Sequence, residues 1–290
     1  MAGKRVAHDP SSSVLILGSG GRLGRMLRRV WTAFPPPGME IWYQTRGDRP
    51  CERTIRWSPG DDPDLLPDCG TVVALWGSTS GDAAALEANV TLARDSRDVA
   101  LTCGAARLFH LSSAAVYGPA QNATEATPPA PINPYGHSKL AMEQAVAGFD
   151  DAGLHHCCLR LANVVGADSL AAGLASQSPV TLDRFSDGNG PRRSYIGATD
   201  VANVLIALAR YPAKDLPRIL NVAAHEPIAM QDLIAAAGNA ILWRDAPVAA
   251  VQEVTMNTGA LRRLLPDVTL ETDPPALVAE LRQQGASTKP

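Results

Sequence analysis

Tyr135 and Lys139 stand four residues apart in the segment Tyr135-Gly-His-Ser-Lys139. On a helix, that spacing puts both side chains on one face. A free phenol, with a pKa of about 10, is a poor base at neutral pH. A neighbouring ammonium favours the phenolate and lowers that value. Tyr135 could then remove a hydroxyl proton as hydride leaves the adjoining carbon, or return one in the opposite direction. Such a pair also arises by chance on protein surfaces, so its weight depends on its surroundings.

A serine stands 22 positions earlier. Leu108-Phe-His-Leu-Ser-Ser-Ala-Ala-Val-Tyr-Gly118 reads as a strand that ends in small polar residues. In parallel α/β sheets, ligands bind outside the carboxyl ends of the strands. Ser113 there is the first choice to orient a substrate oxygen together with Tyr135, with Ser112 the close alternative. Either serine could instead be a helix cap or turn former.

The third feature is a glycine loop. Val14-Leu-Ile-Leu17 runs directly into Gly18-Ser-Gly-Gly-Arg-Leu-Gly24, and a helix is expected from Arg25 to Phe34. Gly18, Gly21 and Gly24 would allow a sharp turn and a close approach of pyrophosphate to the backbone, and the helix N-terminus behind them offers free N–H groups and a partial positive charge. Arg22 and Leu23 lie between them at the helix start. This predicts a dinucleotide cofactor, with Lys139 also able to hold its ribose hydroxyls and Trp76 bordering it at the end of the fourth strand. The second strand ends in Gln44-Thr45-Arg46, with no acidic residue until Asp48. An acid there would accept from a ribose 2′-hydroxyl, whereas a base would pair with a 2′-phosphate. Arg46, assisted by Arg22, therefore tilts the expectation within NAD(P) toward NADP.

These residues need a scaffold. Apolar strand-like runs at Ile41 to Thr45, Thr54 to Trp57, Thr71 to Trp76, Leu108 to Ser112 and His156 to Leu161 alternate with helical stretches. The clearest helices are Asp82 to Thr102 and Tyr135 to Phe149. That alternation predicts an α/β fold with a doubly wound parallel sheet. Later, Thr199 to Tyr211, Ile228 to Ala240 and about Pro274 to Gln283 look helical, and Ile219 to Val222 looks like a strand. In a chain of 290 residues, 46% hydrophobic and 19% charged, a large core is available. A net charge of −3 argues against nucleic acid as a partner. No apolar run approaches the roughly 20 residues that cross a bilayer, and Met1 to Ser13 lacks an apolar signal core, so a soluble cytoplasmic protein is expected. Five cysteines, with no Cys-x-x-Cys pair, predict neither a disulfide framework nor a structural zinc site. No histidine has a partner at metal-ligand spacing, and no metal is expected.

Taken in order, the glycine loop, Ser112-Ser-Ala-Ala-Val-Tyr-Gly118, Pro134-Tyr-Gly-His-Ser-Lys139, Arg160-Leu-Ala-Asn-Val-Val-Gly166, Arg193-Ser-Tyr-Ile-Gly-Ala-Thr-Asp200, Asn221-Val-Ala-Ala and Thr258-Gly-Ala-Leu-Arg-Arg-Leu-Leu265 are similar to a known series of motifs. Across about residues 14 to 283 the chain resembles the extended short-chain dehydrogenase/reductases, specifically the NAD-dependent epimerase/dehydratase family. The resemblance implies a Rossmann-type NAD(P) domain over residues 1–165, rejoined by 194–222, and a small C-terminal α/β substrate part mainly over 166–290. It implies a catalytic set that falls on Ser113, Tyr135 and Lys139. It places Asn163 near the substrate, and Arg193 on a substrate diphosphate or else in a structural salt bridge. It suggests a homodimer formed through helices that include the Tyr135 helix.

Two departures stand out. Only 26 residues separate Gly166 from Arg193, and Gly197 replaces the family's usual histidine. Both weigh against a bulky nucleotide sugar. The expected activity is hydride transfer at a secondary alcohol or ketone of a sugar or sugar nucleotide. The alternatives are a sugar-nucleotide 4-keto reductase of the dTDP-4-dehydrorhamnose reductase kind, whose compact length is similar, and a non-catalytic NAD(P) sensor.

Overall fold

The computed structural model describes residues 10–47, 52–79, 83–175 and 178–286. Seven parallel strands form the central sheet: β1 (Ser13–Leu17), β2 (Glu40–Thr45), β3 (Thr54–Arg56), β4 (Thr71–Ala74), β5 (Arg107–Ser113), β6 (His155–Leu161) and β7 (Ile219–Val222). Their spatial order is β7-β6-β5-β4-β1-β2-β3. The chain reverses its direction of travel across the sheet between β1 and β4, and ligands bind outside such a switch point in this architecture. β1 and β4 are buried along their whole length, as strands covered on both faces must be.

The helices that cover the sheet are α1 (Arg22–Ala33), α2 (Ala83–Thr102), α3 (Pro134–Ala147) and α4 (Ala198–Arg210). α1 packs with α4, while α2 packs with α3. Alternate residues of β1 serve the two layers. Val14 and Ile16 join the core under α1 and α4, and Leu15 and Leu17 join the core beneath α2. This is the doubly wound α/β fold that the alternating pattern predicts.

The rest of the chain carries a smaller core, which includes Val165, Leu182, Tyr195, Leu233 and Leu277. Short strands build around it: Val180–Arg184 parallel to Ile241–Asp245, and Arg192–Arg193 between Ile228–Ala229 and Glu253–Val254. The C-terminal helix α5 (Pro274–Ala286) contributes Leu277 and Val278 to it. The helix expected over Ile228 to Ala240 is confined to Met230–Ala236. Ile228 and Ala229 instead pair with Arg193 and Arg192, and Gly238, at φ +74°, turns the chain out of helical geometry. Among the described residues, no helix is long and apolar enough to cross a membrane.

Candidate active site

β1, β4 and β5 deliver their C-terminal ends to one edge of the sheet, and the candidate residues collect there. α3 begins beside that edge because Asn133 caps it, its Oδ1 accepting from the Gly136 N–H at 2.8 Å, and Pro134 occupies the first turn. Gly136 then lets the helix sit close: a Cβ there would lie 2.5 Å from the Ala115 carbonyl oxygen, in the short turn after Ser113. The result brings Tyr135 within hydrogen-bonding reach of Ser113. Ser113 Oγ also accepts from the Ala115 N–H at 3.2 Å, so the same serine serves as a turn former.

Lys139 is buried, and its Nζ donates to the Leu111 carbonyl of β5 at 2.8 Å. The ammonium lies 5.9 Å from the centroid of the Tyr135 ring. A Cβ on Gly77, in the loop after β4, would come 3.4 Å from it. Burial lowers the amine from its ordinary value to about 8, with the Cys158 thiol and the Glu143 carboxylate opposing that fall. For Tyr135, burial raises the phenol and the contact with Ser113 lowers it. In the chain by itself, then, burial governs the phenol; the lowering anticipated from Lys139 does not appear among the influences on it.

The glycine loop has the shape a dinucleotide diphosphate needs. Gly18 has φ +75°, and a Cβ on it would lie 2.6 Å from the Trp76 backbone nitrogen. A Cβ on Gly24 would lie 2.6 Å from the Ser19 backbone. Gly21 differs, because its Cβ would meet only the Gly18 carbonyl, at 3.3 Å. Gly21 is also the N-cap of α1, and no side chain caps that helix end. Uncapped N–H groups and the positive end of the helix dipole suit a phosphate group. The loop is tied down by Gln44 at the end of β2: its Oε1 accepts from the Gly18 N–H at 2.7 Å, and its carbonyl accepts from Ser19 Oγ at 2.7 Å.

The other expected residues are spread more widely. Trp76 abuts Gly18, donates from Nε1 to Ser96 Oγ at 2.7 Å and stacks on Trp57 with centroids 6.5 Å apart. Arg46 lies on an exposed bend after β2. Asp48 lies outside the described residues. Arg22 is exposed at the start of α1, with Nη1 3.4 Å from the Ala167 carbonyl, and Leu23 is half-buried beside it. Ser112 points away from Ser113, as alternate strand residues do, and its buried hydroxyl donates to Glu143 Oε1 at 2.5 Å. Asn163 is half-buried on the strand Asn163–Val164, which pairs with Tyr195–Ile196. Arg193 donates to the carbonyls of Arg192, Gln252 and Val251 at 2.7–2.9 Å; among the described residues it forms no salt bridge.

Asn89 is a residue to which the sequence assigns no role. It is buried on α2, where its Oδ1 accepts from the Ser78 N–H at 3.0 Å and its Nδ2 donates to the Ser78 carbonyl at 3.1 Å and to Ser138 Oγ at 3.0 Å. It thereby ties the loop after β4 to the turn of α3 that carries Lys139. An amide sharing a helix face with Leu86 and Ala93 was the available signal. His110 and His156, given no role from sequence, are buried and joined Nε2 to Nδ1 at 3.2 Å. Among the described residues, no cluster of His, Cys, Asp and Glu is arranged to hold a metal ion.

Comparison with known proteins gives the site its context. The chain is 31% identical over 195 residues to dTDP-6-deoxy-L-talose 4-dehydrogenase (NAD(P)(+)) of Kitasatospora kifunensis, a match covering 61% of this chain and 60% of that protein. It is 49% identical over 65 residues to UDP-glucose 4-epimerase of Lactobacillus helveticus, covering 21% and 20% respectively. The chain thus spans less than two thirds of either relative. The fold superposes on MoeE5 in complex with UDP-glucose and NAD with a TM-score of 0.76, covering 95% of this chain and 99% of that one at 21% identity. The profile of the NAD dependent epimerase/dehydratase family matches residues 52–223, more than half of the chain and including Ser113, Tyr135, Lys139 and Arg193. Fold, motif order and profile agree, and the chain belongs to the NAD dependent epimerase/dehydratase family.

Proposed function

We propose that this chain catalyses NAD(P)-dependent hydride transfer at the 4-position of the sugar in a nucleoside diphosphate sugar. The observation that carries this reading is the convergence of Ser113, Tyr135 and Lys139 at the end of β5, beside a glycine loop with an uncapped helix behind it. The 4-position is supported by the names of both curated relatives, a 4-dehydrogenase and a 4-epimerase. Hydride acceptance and donation is the chemistry a bound nicotinamide supplies. Tyr135 holds and moves the proton of the 4-hydroxyl, Ser113 orients that oxygen, and Lys139 together with a bound oxidised nicotinamide would supply the positive charge that the chain by itself does not bring to bear on the phenol. The N–H groups of the Gly21–Gly24 turn would hold the cofactor diphosphate.

In this reading residues 1–165, rejoined by 194–222, carry the cofactor, and 166–290 mainly carry the sugar side, with Asn163 at its edge. Arg193 serves a diphosphate only by sharing donors now committed to backbone carbonyls. NADP is favoured within NAD(P), since the described end of β2 offers the Thr45 hydroxyl and the Arg46 guanidinium and no carboxylate. A homodimer formed through helices that include α3 completes the proposal.

The test incubates purified protein with dTDP-6-deoxy-L-talose or UDP-glucose and either NAD+ or NADP+. Reduced cofactor accumulating in step with a keto-sugar establishes a dehydrogenase. Sugar epimerised with no net reduction of cofactor, in protein that retains it on purification, establishes an epimerase. Failure to bind either dinucleotide by calorimetry would falsify the reading.

A further inference from the structure

Glu143 stands one helical turn beyond Lys139 on α3, so Tyr135, Lys139 and Glu143 form one stripe along the helix. The stripe enters the protein as it descends. Tyr135 borders the cleft, and Lys139 and Glu143 are 5% and 6% exposed. Glu143 is held by three donors: Ser112 Oγ at 2.5 Å and Arg160 Nε at 3.0 Å on Oε1, and Arg160 Nη2 at 2.7 Å on Oε2. Arg160 is itself buried on β6, its guanidinium 4.6 Å above the Tyr117 ring. The two strand residues that hold the carboxylate flank the site from behind, for Ser112 immediately precedes Ser113, and Arg160 begins the strand end that leads to Asn163.

A buried ion pair of this kind is weak evidence for stability, because desolvation offsets most of the attraction. Its placement suggests another use. Among the described residues, the Lys139 ammonium has only the neutral Leu111 carbonyl as a hydrogen-bond partner, and no carboxylate lies within salt-bridge distance of it. The titratable and charged groups facing it are Tyr135 and Glu143 on its own helix, His110 on β5 and Cys158 on β6, with Arg160 behind Glu143. Of these, Glu143 alone is a carboxylate.

We propose that Glu143 is a positioning residue for the reaction: clamped by Ser112 and Arg160, it supplies the buried counter-charge that keeps Lys139 an ammonium, and it locks α3 to the strand carrying Ser113. The proposal rests on the catalytic reading of Lys139 given above. Removing the carboxylate leaves only the Cys158 thiol opposing burial, so the Lys139 amine should release its proton at lower pH. The positive charge that Lys139 adds beside Tyr135 would then be lost within the working range.

Four lysines occur in the chain, Lys4, Lys139, Lys214 and Lys289, so the amine can be followed directly. Lysine labelled with carbon-13 and nitrogen-15 is titrated by NMR in the intact protein, the Lys139 signal being assigned by its loss in Lys139→Met. In the unmodified chain it should half-titrate near pH 8. In Glu143→Gln the midpoint should fall by about one pH unit or more, within the range for loss of a nearby opposite charge. Because that variant strands a buried guanidinium, Glu143→Gln/Arg160→Met is measured beside it. The double variant should be the more stable of the two and keep the lowered midpoint. An unchanged midpoint in both variants overturns the proposal, as does a midpoint restored in the double variant, which would make stranded Arg160 the cause. None of these outcomes needs turnover, so an inactive protein defeats the functional reading without deciding this measurement. Where turnover is seen, kcat should fall more than KM rises, and its alkaline limb should move to lower pH.

Discussion

At Tyr135 the chain poses an electrostatic problem that it does not solve alone. Burial holds the phenol above its ordinary range, and the one opposing influence is the contact with Ser113. The hydroxyl is therefore a proton donor in the free chain and becomes a base only when further positive charge is brought near. Tyr135→Phe keeps the ring and its packing and deletes the proton carrier. It should lower kcat by about 10²–10⁴-fold, the usual weight of general acid–base catalysis, with dinucleotide affinity unchanged by calorimetry. A variant as active as the parent would remove Tyr135 from the chemistry. Arg46 is the second residue-scale question. It is exposed, so only a ligand that reaches it can draw on its charge. Arg46→Ala should weaken NADPH binding about tenfold, as expected for loss of a charge-assisted contact, and leave NADH binding as it was. An equal loss for both cofactors would mean that Arg46 does not read the 2′-phosphate.

Elements decide which glycines matter and for what. Gly24 is a packing glycine, because its missing Cβ makes room for the Ser19 backbone, which cannot yield as a flexible side chain would. Gly24→Ala should cost about 1–3 kcal/mol of stability, the range for overpacking, seen as a lower denaturation midpoint. Gly21 is extended at the α1 N-cap and meets only one carbonyl. With the diphosphate held at this turn as proposed, Gly21→Ala should fold nearly as well yet bind dinucleotide at least tenfold more weakly; that figure equals about 1.4 kcal/mol. If the two variants behave alike, the division between packing and ligand approach fails. The same contrast explains what the sequence allowed to be read. Strands such as Val14 to Leu17 and Thr71 to Ala74 announce themselves as apolar runs, and the meeting of Tyr135 with Ser113 follows from one helix start and one strand end. Strands of two residues, such as Asn163–Val164 and Arg192–Arg193, leave no periodicity to detect. Gln44, Asn89 and Glu143 were missed for a different reason. Each acts through contacts with chain 26, 49 or 31 positions away, and a buried polar residue declares its partner only once the chain has folded.

Across the whole molecule, the departure at Gly197 becomes intelligible at the joint between the sheet and the C-terminal helix. Gly197 caps α4 without a side chain, and a Cβ there would lie 2.6 Å from Glu280 Oε2. Glu280 comes from α5 and does the capping from outside: its Oε1 accepts from the Thr199 N–H at 2.7 Å and from Thr199 Oγ1 at 2.9 Å. A larger residue at position 197 would displace the Glu280 carboxylate from this cap and crowd Leu277, whose Cδ2 would lie 3.1 Å from the added Cβ. One turn on, Asp200 Oδ2 accepts from the Glu271 N–H at 2.8 Å, fastening the segment before α5. The joint thus gathers carboxylates, and Asp200 is raised to about 6 by burial, with Glu280 and Glu271 adding to the rise. The folded chain holds that proton to about pH 6, whereas an unfolded aspartate releases it near pH 4. Between those values the folded state binds more protons, so this group's contribution to stability is present in acid and is lost as pH rises to about 6 and beyond. Asp200→Asn can still accept from the Glu271 N–H and carries no charge to bury. Its melting temperature should exceed the parent's above about pH 6, and the gain should shrink away toward about pH 4. A difference that stays constant across that range would mean that Asp200 titrates as an ordinary carboxyl and that α5 is held by the Glu280 cap and apolar packing alone.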